Sequence, residues 1–230
     1  MALARLDRVL ANLGYGSRRD VRRVILDGRV FVRGEVVRDE TRKVDAHEVT
    51  VDGEALDHPD GIVVMLHKPT GVVCSHDEGE GPTVFELLPE RWSSRNPRVE
   101  SVGRLDKDSS GLLLLTDDHQ LLHRLTSPRR HVPKRYEVEL DDDLPDGIVE
   151  RFAAGTLLLA GDPDPCRPAE LEPTGPRSAA VVLTEGRYHQ VRRMFAACGR
   201  TVVALHRSHV GDLALGDLAP GAWVEVPQLR

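Results

Sequence analysis

The sequence predicts an α+β protein: a small helix-and-hairpin module followed by a larger domain with a largely antiparallel mixed sheet flanked by helices. Three observations carry this expectation. The first 57 residues hold two short amphipathic helical repeats and then paired β-type runs. Beyond the turn-rich His58-Pro59-Asp60-Gly61, short strands and helices alternate without a regular βαβ rhythm. Tyr136, Val138 and Leu140 also alternate with charged neighbours, as in a sheet with one wet face. The expected division is 1–57, a linker at 58–61, and 62–230.

In the first module Leu6, Val9, Leu10 and Leu13 recur at helical spacing, and Gly14 stops that helix. Ser17 is a good N-cap for a second helix, with Asp20 three residues on as a capping-box analogue. Val21, Val24 and Ile25 form its apolar stripe, and Gly28 suits the position just past its end. Arg18, Arg19, Arg22 and Arg23 fall on the opposite arc, so one face suits a core and the other suits phosphates. Val30-Phe31-Val32, a turn at Arg33-Gly34, and Val36-Val37 read as a hairpin, with Val49-Thr50-Val51 as a further strand. In the larger domain strands are expected at 62–66, 111–116, 134–140, 156–159, 178–184, 201–205 and 222–226. Helices are expected at 83–88, 117–126, 145–154 and 188–198, with Pro145 in a first turn and Gly199 past the last helix.

Composition excludes several classes. With 40% hydrophobic and 30% charged residues the chain reads as an ordinary globular protein. No apolar run approaches the roughly 18 residues of a membrane span. The N-terminal Met-Ala-Leu-Ala-Arg-Leu-Asp-Arg lacks an apolar signal core, so a cytoplasmic location is expected. Cys74, Cys166 and Cys198 are far apart and form no Cys-x-x-Cys pair, against both a disulfide framework and a zinc site. His119 and His123 share a helix face, but no Glu completes a zinc-protease motif; surface or capping roles, and no metal, are expected.

The net charge of −6 hides an uneven distribution. Arginines crowd residues 1–33. Residues 124–135 carry Arg124, Arg129, Arg130, Lys134 and Arg135 with no acid, and 185–207 carry Arg187, Arg192, Arg193, Arg200 and Arg207 against Glu185. The compensating acids cluster in 141–172. This is the pattern of a polyanion-binding face with a solvated back, or of patches that bridge one another.

The most informative stretch runs from Val102 to Asp118. A polar turn bearing Arg104 and Asp106 passes through Gly111 into the apolar run Leu112 to Leu115. Burial alone would push a proton onto Asp106, and a fixed cation such as Arg104 would keep it charged. Such a carboxylate is either half of a structural ion pair or a nucleophile.

Four segments combine into something more specific. They are His67-Lys68-Pro69-Thr70-Gly71-Val72-Val73-Cys74-Ser75, the Asp106 turn with Ser110-Gly111-Leu112-Leu113-Leu114-Leu115-Thr116, Lys134-Arg135-Tyr136-Glu137-Val138, and Glu185-Gly186-Arg187-Tyr188-His189-Gln190-Val191-Arg192-Arg193-Met194-Phe195. Together they resemble the RsuA-type pseudouridine synthases. The front module, through Ser17-Arg18-Arg19 and Gly28-Arg29-Val30-Phe31-Val32-Arg33-Gly34, resembles the S4 RNA-binding domain that this family carries. The resemblance implies Asp106 as catalytic aspartate, Tyr136 stacked on the target uracil, and Arg192 paired with the aspartate. It implies Arg104 as the residue that fills the hole left by an extruded base. Lys68, Arg187, His189 and Gln190 are expected to contact substrate, and Arg18, Arg19, Arg22, Arg23, Arg129, Arg130 and Lys134 the RNA. His67 and Ser109 depart from the residues common in that family.

The reaction so implied is isomerisation of uridine to pseudouridine in structured ribosomal RNA, with no cofactor, by a monomer. Tyr188-His189-Gln190-Val191, Thr126-Ser127-Pro128-Arg129 and Asp217-Leu218-Ala219-Pro220-Gly221 look closest to the branch that modifies uridine 516 of 16S RNA. The alternatives are the same reaction on 23S RNA, a non-catalytic ribosome-assembly factor, and a metal-dependent nuclease built on Asp106, Asp108, Asp117 and Asp118. Attack at the sugar and addition to the ring are both open to Asp106.

Overall fold

The structure is a computed structural model and describes residues 3–127, 131–226 and 229. The first module contains β1 (Ala4–Arg5), α1 (Leu6–Asn12), α2 (Arg18–Leu26), β2 (Val30–Val32), β3 (Glu35–Val36), β4 (Lys43–Val44), β5 (Val49–Val51) and β6 (Glu54–Ala55). Strands β3-β2-β5-β6 make one antiparallel sheet, and β1 pairs with β4. The Ser17 hydroxyl accepts from the Asp20 amide while the Asp20 carboxylate accepts from the Ser17 amide, which closes the expected capping box on α2. Arg33 and Gly34 both take left-handed backbone (φ 53° and 81°), the geometry that lets two residues join twisted antiparallel strands. Leu6, Leu10, Val21, Ile25, Val30 and Val49 fill the small core.

The larger domain runs β7 (Val63–Lys68), β8 (Glu100–Ser101), β9 (Ser109–Thr116), α3 (His119–Thr126), β10 (Lys134–Leu140), α4 (Ile148–Ala153), β11 (Glu170–Gly175), β12 (Ser178–Leu183), α5 (Gln190–Ala196), β13 (Val202–Val210), β14 (Leu213–Ala214) and β15 (Trp223–Glu225). The sheet order is β11-β12-β10-β13-β9-β7-β15, with β14 on β13 and β8 on β9. Among the described strands only β13 and β9 pair in parallel, so the architecture is α+β as the sequence implied. Val64, Leu66, Leu113 and Leu115 enter the core on one face, and Val63, Met65, Leu112 and Leu114 that on the other. Burial on both faces is why these strands read as unbroken apolar runs.

Several elements differ from expectation. Residues 156–159 form no strand. Leu157 and Leu159 are buried in the core from an irregular segment that folds back on itself, where the Cys166 amide donates to the Leu157 carbonyl at 2.7 Å. The strand that pairs with β12 is instead β11, hidden from sequence reading by Glu170, Glu172 and Pro173. As the last strand in the sheet order it leaves one ladder unpaired, which is where proline and charge are tolerated. The 83–88 segment is a single 3-10 turn, Val84–Leu87. Pro145 precedes its helix, because Gly147 in left-handed backbone (φ 70°) caps α4. In α5, left-handed His189 (φ 48°) delays the helix start to Gln190.

Residues 57–61 are packed rather than slack. The Tyr15 hydroxyl accepts from the Asp57 amide at 3.0 Å, and Trp92 Nε1 donates to Asp57 Oδ2 at 2.7 Å. The Asn96 amide donates to the Asn12 carbonyl at 2.8 Å, tying the first module to the second. Among the described residues no helix is long and apolar enough to cross a membrane.

Candidate active site

Asp106 sits in the turn between β8 and β9, and nearly every carbonyl of that turn is held. Lys68, the last residue of β7, is 0% exposed. Its Nζ donates to the carbonyls of Ser109 (2.7 Å), Asp106 (2.9 Å) and Pro69 (3.0 Å). The Gly71 amide donates to the Lys107 carbonyl at 2.8 Å, and Cys74 Sγ contacts the Leu105 carbonyl at 3.5 Å. Burial lowers the Lys68 pKa, with Asp106 among the groups that oppose the shift. A lysine bonded wholly to main chain does not reach substrate, so the expected substrate contact at Lys68 is corrected: it immobilises the turn.

The Asp106 side chain, 31% exposed, lies 3.2 Å from His189 Nε2 through Oδ1 and 3.8 Å from Arg192 Nε through Oδ2. Arg192 is anchored in turn to the carbonyls of Val202 (2.9 Å) and Asp108 (3.3 Å). The left-handed backbone at His189 is what starts α5 with its ring beside Asp106. Arg104 is exposed and makes no ion pair with Asp106. The cation expected to hold the carboxylate is therefore Arg192, from a distant helix, and not its neighbour in the turn.

Asp106 opens onto a cavity of about 860 Å³. Arg104, Lys134, Tyr136, Arg187, His189 and Gln190 also line it, and Lys68 and Arg192 do not. Tyr136 is buried on β10, its register partner on β13 being Arg207. Tyr188 is 71% exposed and stacks on the His189 ring at 3.9 Å.

Other expected contacts are spent on structure. Arg187 binds Asp162 (3.1 Å) and the carbonyls of Asp164 and Pro165. Gln190 is buried between the Arg187 amide and Glu185. Both hold the 185–190 loop against the 162–165 segment while lining the cavity beside Asp106. Arg193 joins Arg187 on Asp162, and Arg200 donates to the Asp143 carbonyl, so the acidic stretch answers the 185–207 patch. Arg124 donates to the Leu229 carbonyl and Arg135 pairs with Glu137 and Glu172. Arg18, Arg19, Arg22 and Arg23 are exposed on α2, with Arg22 paired to Glu40 at 2.9 Å. Arg129 and Arg130 lie outside the described residues. Asp117 is bound to Arg95 at 2.8 Å and Asp118 caps α3, so the acids of the nuclease alternative do not gather at Asp106.

Sequence reasoning counted Arg207 only as part of a basic patch. The structure makes it a cavity wall, and its alternation with Leu205 on β13, both lining the cavity, was the available signal.

Comparison with known proteins then decides the family. Residues 62–197 match the RNA pseudouridylate synthase family and residues 4–50 match the S4 domain. The chain belongs to the RNA pseudouridylate synthase family. This pseudouridine synthase, an isomerase, is 43% identical over 224 residues to "Ribosomal small subunit pseudouridine synthase A" of Escherichia coli strain K12, covering 95% of this chain and 94% of that protein. It is 39% identical over 229 residues to an "Uncharacterized RNA pseudouridine synthase" of Bacillus subtilis strain 168, covering 97% and 95%. A solved structure titled "Crystal structure of pseudouridylate synthase" superposes with a TM-score of 0.68 at 36% identity, covering 98% of this synthase and 96% of that chain.

Proposed function

We propose that this synthase converts a uridine of small-subunit ribosomal RNA, uridine 516 of 16S RNA, to pseudouridine in the cytoplasm. The small-subunit part of this reading is supported by the names of relatives 40–43% identical along almost the whole chain, and the choice of uridine 516 by the resemblance of the 188–191 and 217–221 segments to the branch that modifies it. The observation that carries the chemistry is the Asp106 carboxylate on an immobilised turn, between His189 and Arg192, facing a cavity walled by Tyr136. A uridine stacked in folded RNA must swing out to enter, at a cost of about a few kcal/mol that phosphate contacts offset. Arg18, Arg19 and Arg23 on α2 supply such contacts, and exposed Arg104 takes the place the base vacates.

Substrate and product are isomers, so the reaction needs no redox step. The N1–C1′ bond breaks with its electron pair left on the ring, and an Asp106 oxygen bonds to C1′. The ring turns to present C5. Its pair forms the C5–C1′ bond while the pair of the Asp106–C1′ bond returns to the carboxylate. The C5 proton then leaves and N1 takes one up, with Tyr136 covering the ring and relaying the proton. Arg192 and His189 hold the carboxylate in line throughout.

The test is pseudouridine mapping in ribosomal RNA from cells lacking the protein, with addition of wild-type or Asp106→Asn protein. The expected result is loss of one small-subunit pseudouridine, restored by wild type alone, with Asp106→Asn still binding RNA. Loss of a large-subunit pseudouridine instead, or product from Asp106→Asn, overturns the assignment.

A further inference from the structure

A buried guanidinium in the cavity wall is left over by this scheme. Arg207 is 3% exposed and lines the cavity. Its Nε donates to the Leu112 carbonyl at 2.8 Å, which fixes the plane of the group. Among the described residues no carboxylate pairs with it, and its two Nη groups make no hydrogen bond and are open to the cavity rather than sealed in the core. A buried charge without a counter-charge is costly, and sites that keep one commonly do so for a ligand. The second cavity cation on the same sheet face, Lys134, adds to the imbalance: burial and then Arg207 lower its pKa. Two positive groups therefore share one wall of the cavity that Asp106 and Glu185 also line.

Position narrows what the missing partner is. In the β10–β13 ladder Tyr136 stands opposite Arg207, so both side chains leave the sheet on the same face. Where Tyr136 covers the uracil, Arg207 lies against the same ring. Gly111 (φ 115°) lets β9 and β13 approach so closely that a Cβ there would stand 2.3 Å from the Arg207 carbonyl oxygen, which seats Arg207 directly beside the strand that follows the Asp106 turn. A phosphodiester stays joined to the rest of the RNA and cannot follow the base to this depth. The uracil offers carbonyl oxygens instead, and they carry the negative charge released when the N1–C1′ bond breaks.

We infer that Arg207 is a further catalytic residue, whose Nη groups hydrogen-bond a carbonyl oxygen of the extruded uracil and stabilise the ring anion between bond breakage and rejoining. This rests on the reading in the preceding subsection. It adds a recipient for the electron pair to a scheme whose other residues attend to the carboxylate. The effect belongs to the transition state, since the neutral ring of bound uridine uses the guanidinium far less.

The experiment is single-turnover kinetics on small-subunit RNA carrying either uridine or 5-fluorouridine at the target, with wild type, Arg207→Gln, Arg207→Lys and Asp106→Asn. Fluorine at C5 withdraws electrons and steadies the ring anion, so it lessens the need for Arg207. It also leaves C5 no proton to lose, so on both RNAs the rate read is that of C5–C1′ bond formation; on the fluorinated ring water then adds across N1=C6, its hydroxyl to C6 and its proton to N1. Arg207→Gln should lose about 100-fold in rate on uridine but only about 10-fold on 5-fluorouridine, with RNA affinity changed by less than about threefold. Arg207→Lys keeps the charge and can still reach the Leu112 carbonyl, so it should fold even where Gln does not, and show a smaller loss with the same fluorine rescue. Equal losses on both rings, or full rate in either variant, overturn the inference. So does a defect confined to RNA affinity with a shallower salt dependence, which would assign Arg207 to a phosphate. Wild type that converts neither RNA refutes the parent reading itself, and inactive Asp106→Asn beside active wild type separates the two failures.

Discussion

The ammonium of Lys68 donates to the main-chain oxygen of Asp106 at 2.9 Å, across 38 positions of sequence. This bond, with those to Pro69 and Ser109, makes the Asp106 turn a rigid part of the sheet edge. Lys68→Met removes the donor and leaves buried carbonyls unpaired, at about 1–3 kcal/mol for each unsatisfied group. The expected outcome is a stability loss on the order of 3 kcal/mol in urea melts. Pseudouridine formation should be lost, while RNA affinity, carried by other surfaces, changes little.

His189 touches Asp106 from a left-handed position. Asn tolerates that backbone better than other residues, so His189→Asn removes the imidazole with little strain. The contact is a 3.2 Å approach of Nε2 to Oδ1 between side chains about a third exposed, so it contributes about 1 kcal/mol, which corresponds to roughly a fivefold loss in the chemical step. Single-turnover rates at saturating RNA should show this loss, with affinity unchanged.

Arg95 and Asp117 form an ion pair at 2.8 Å with side chains only 2% and 7% exposed. Arg95 also donates to the carbonyls of Asp57 and His58, and Asp117 accepts from the Ile62 amide, so the pair clamps the junction of the two modules. Arg95→Ala strands a buried carboxylate and should cost about 3–5 kcal/mol. Thermal unfolding measures it, and the residual folded fraction should retain normal turnover.

His206 gives a pH signature. Burial, then the neighbouring His67, lower its pKa below the usual imidazole value, and its Nδ1 meets the Ser110 hydroxyl at 2.9 Å. As pH falls through the ordinary histidine range near 6.5, the unfolded chain takes up this proton and the folded chain does not. Stability is therefore lost on acidification, and the loss ends only below the lowered folded pKa. Melting temperatures between pH 7 and 5 should fall less steeply for His206→Gln than for wild type.

Much of this protein was legible locally. Ser17 and Asp20 closed their capping box, Arg33-Gly34 made its hairpin turn, and Lys134–Leu140 formed the strand its alternation promised. These features depend on neighbours within a few residues, which spacing records. The strand at β11 was not legible, because an edge position tolerates the charges and proline that argue against a strand elsewhere. Charge patches left two readings open for a related reason: composition shows where arginines are, while the Arg187 and Arg193 pairs with Asp162 depend on a loop folding back.

By itself the sequence determined the α+β class, the Asp106 turn at the mouth of an apolar strand, and the amphipathic arginine helix, since each is set by short-range periodicity and turn chemistry. Only the tertiary structure decided what each polar side chain does. Packing turned Lys68 inward onto carbonyls, kept Arg104 out of ion-pair reach of Asp106, and set Arg207 in the cavity wall with no carboxylate partner among the described residues. The physical reason is that a long polar side chain takes its role from whichever partners the fold brings within about 3 Å, and those partners lie tens of residues away.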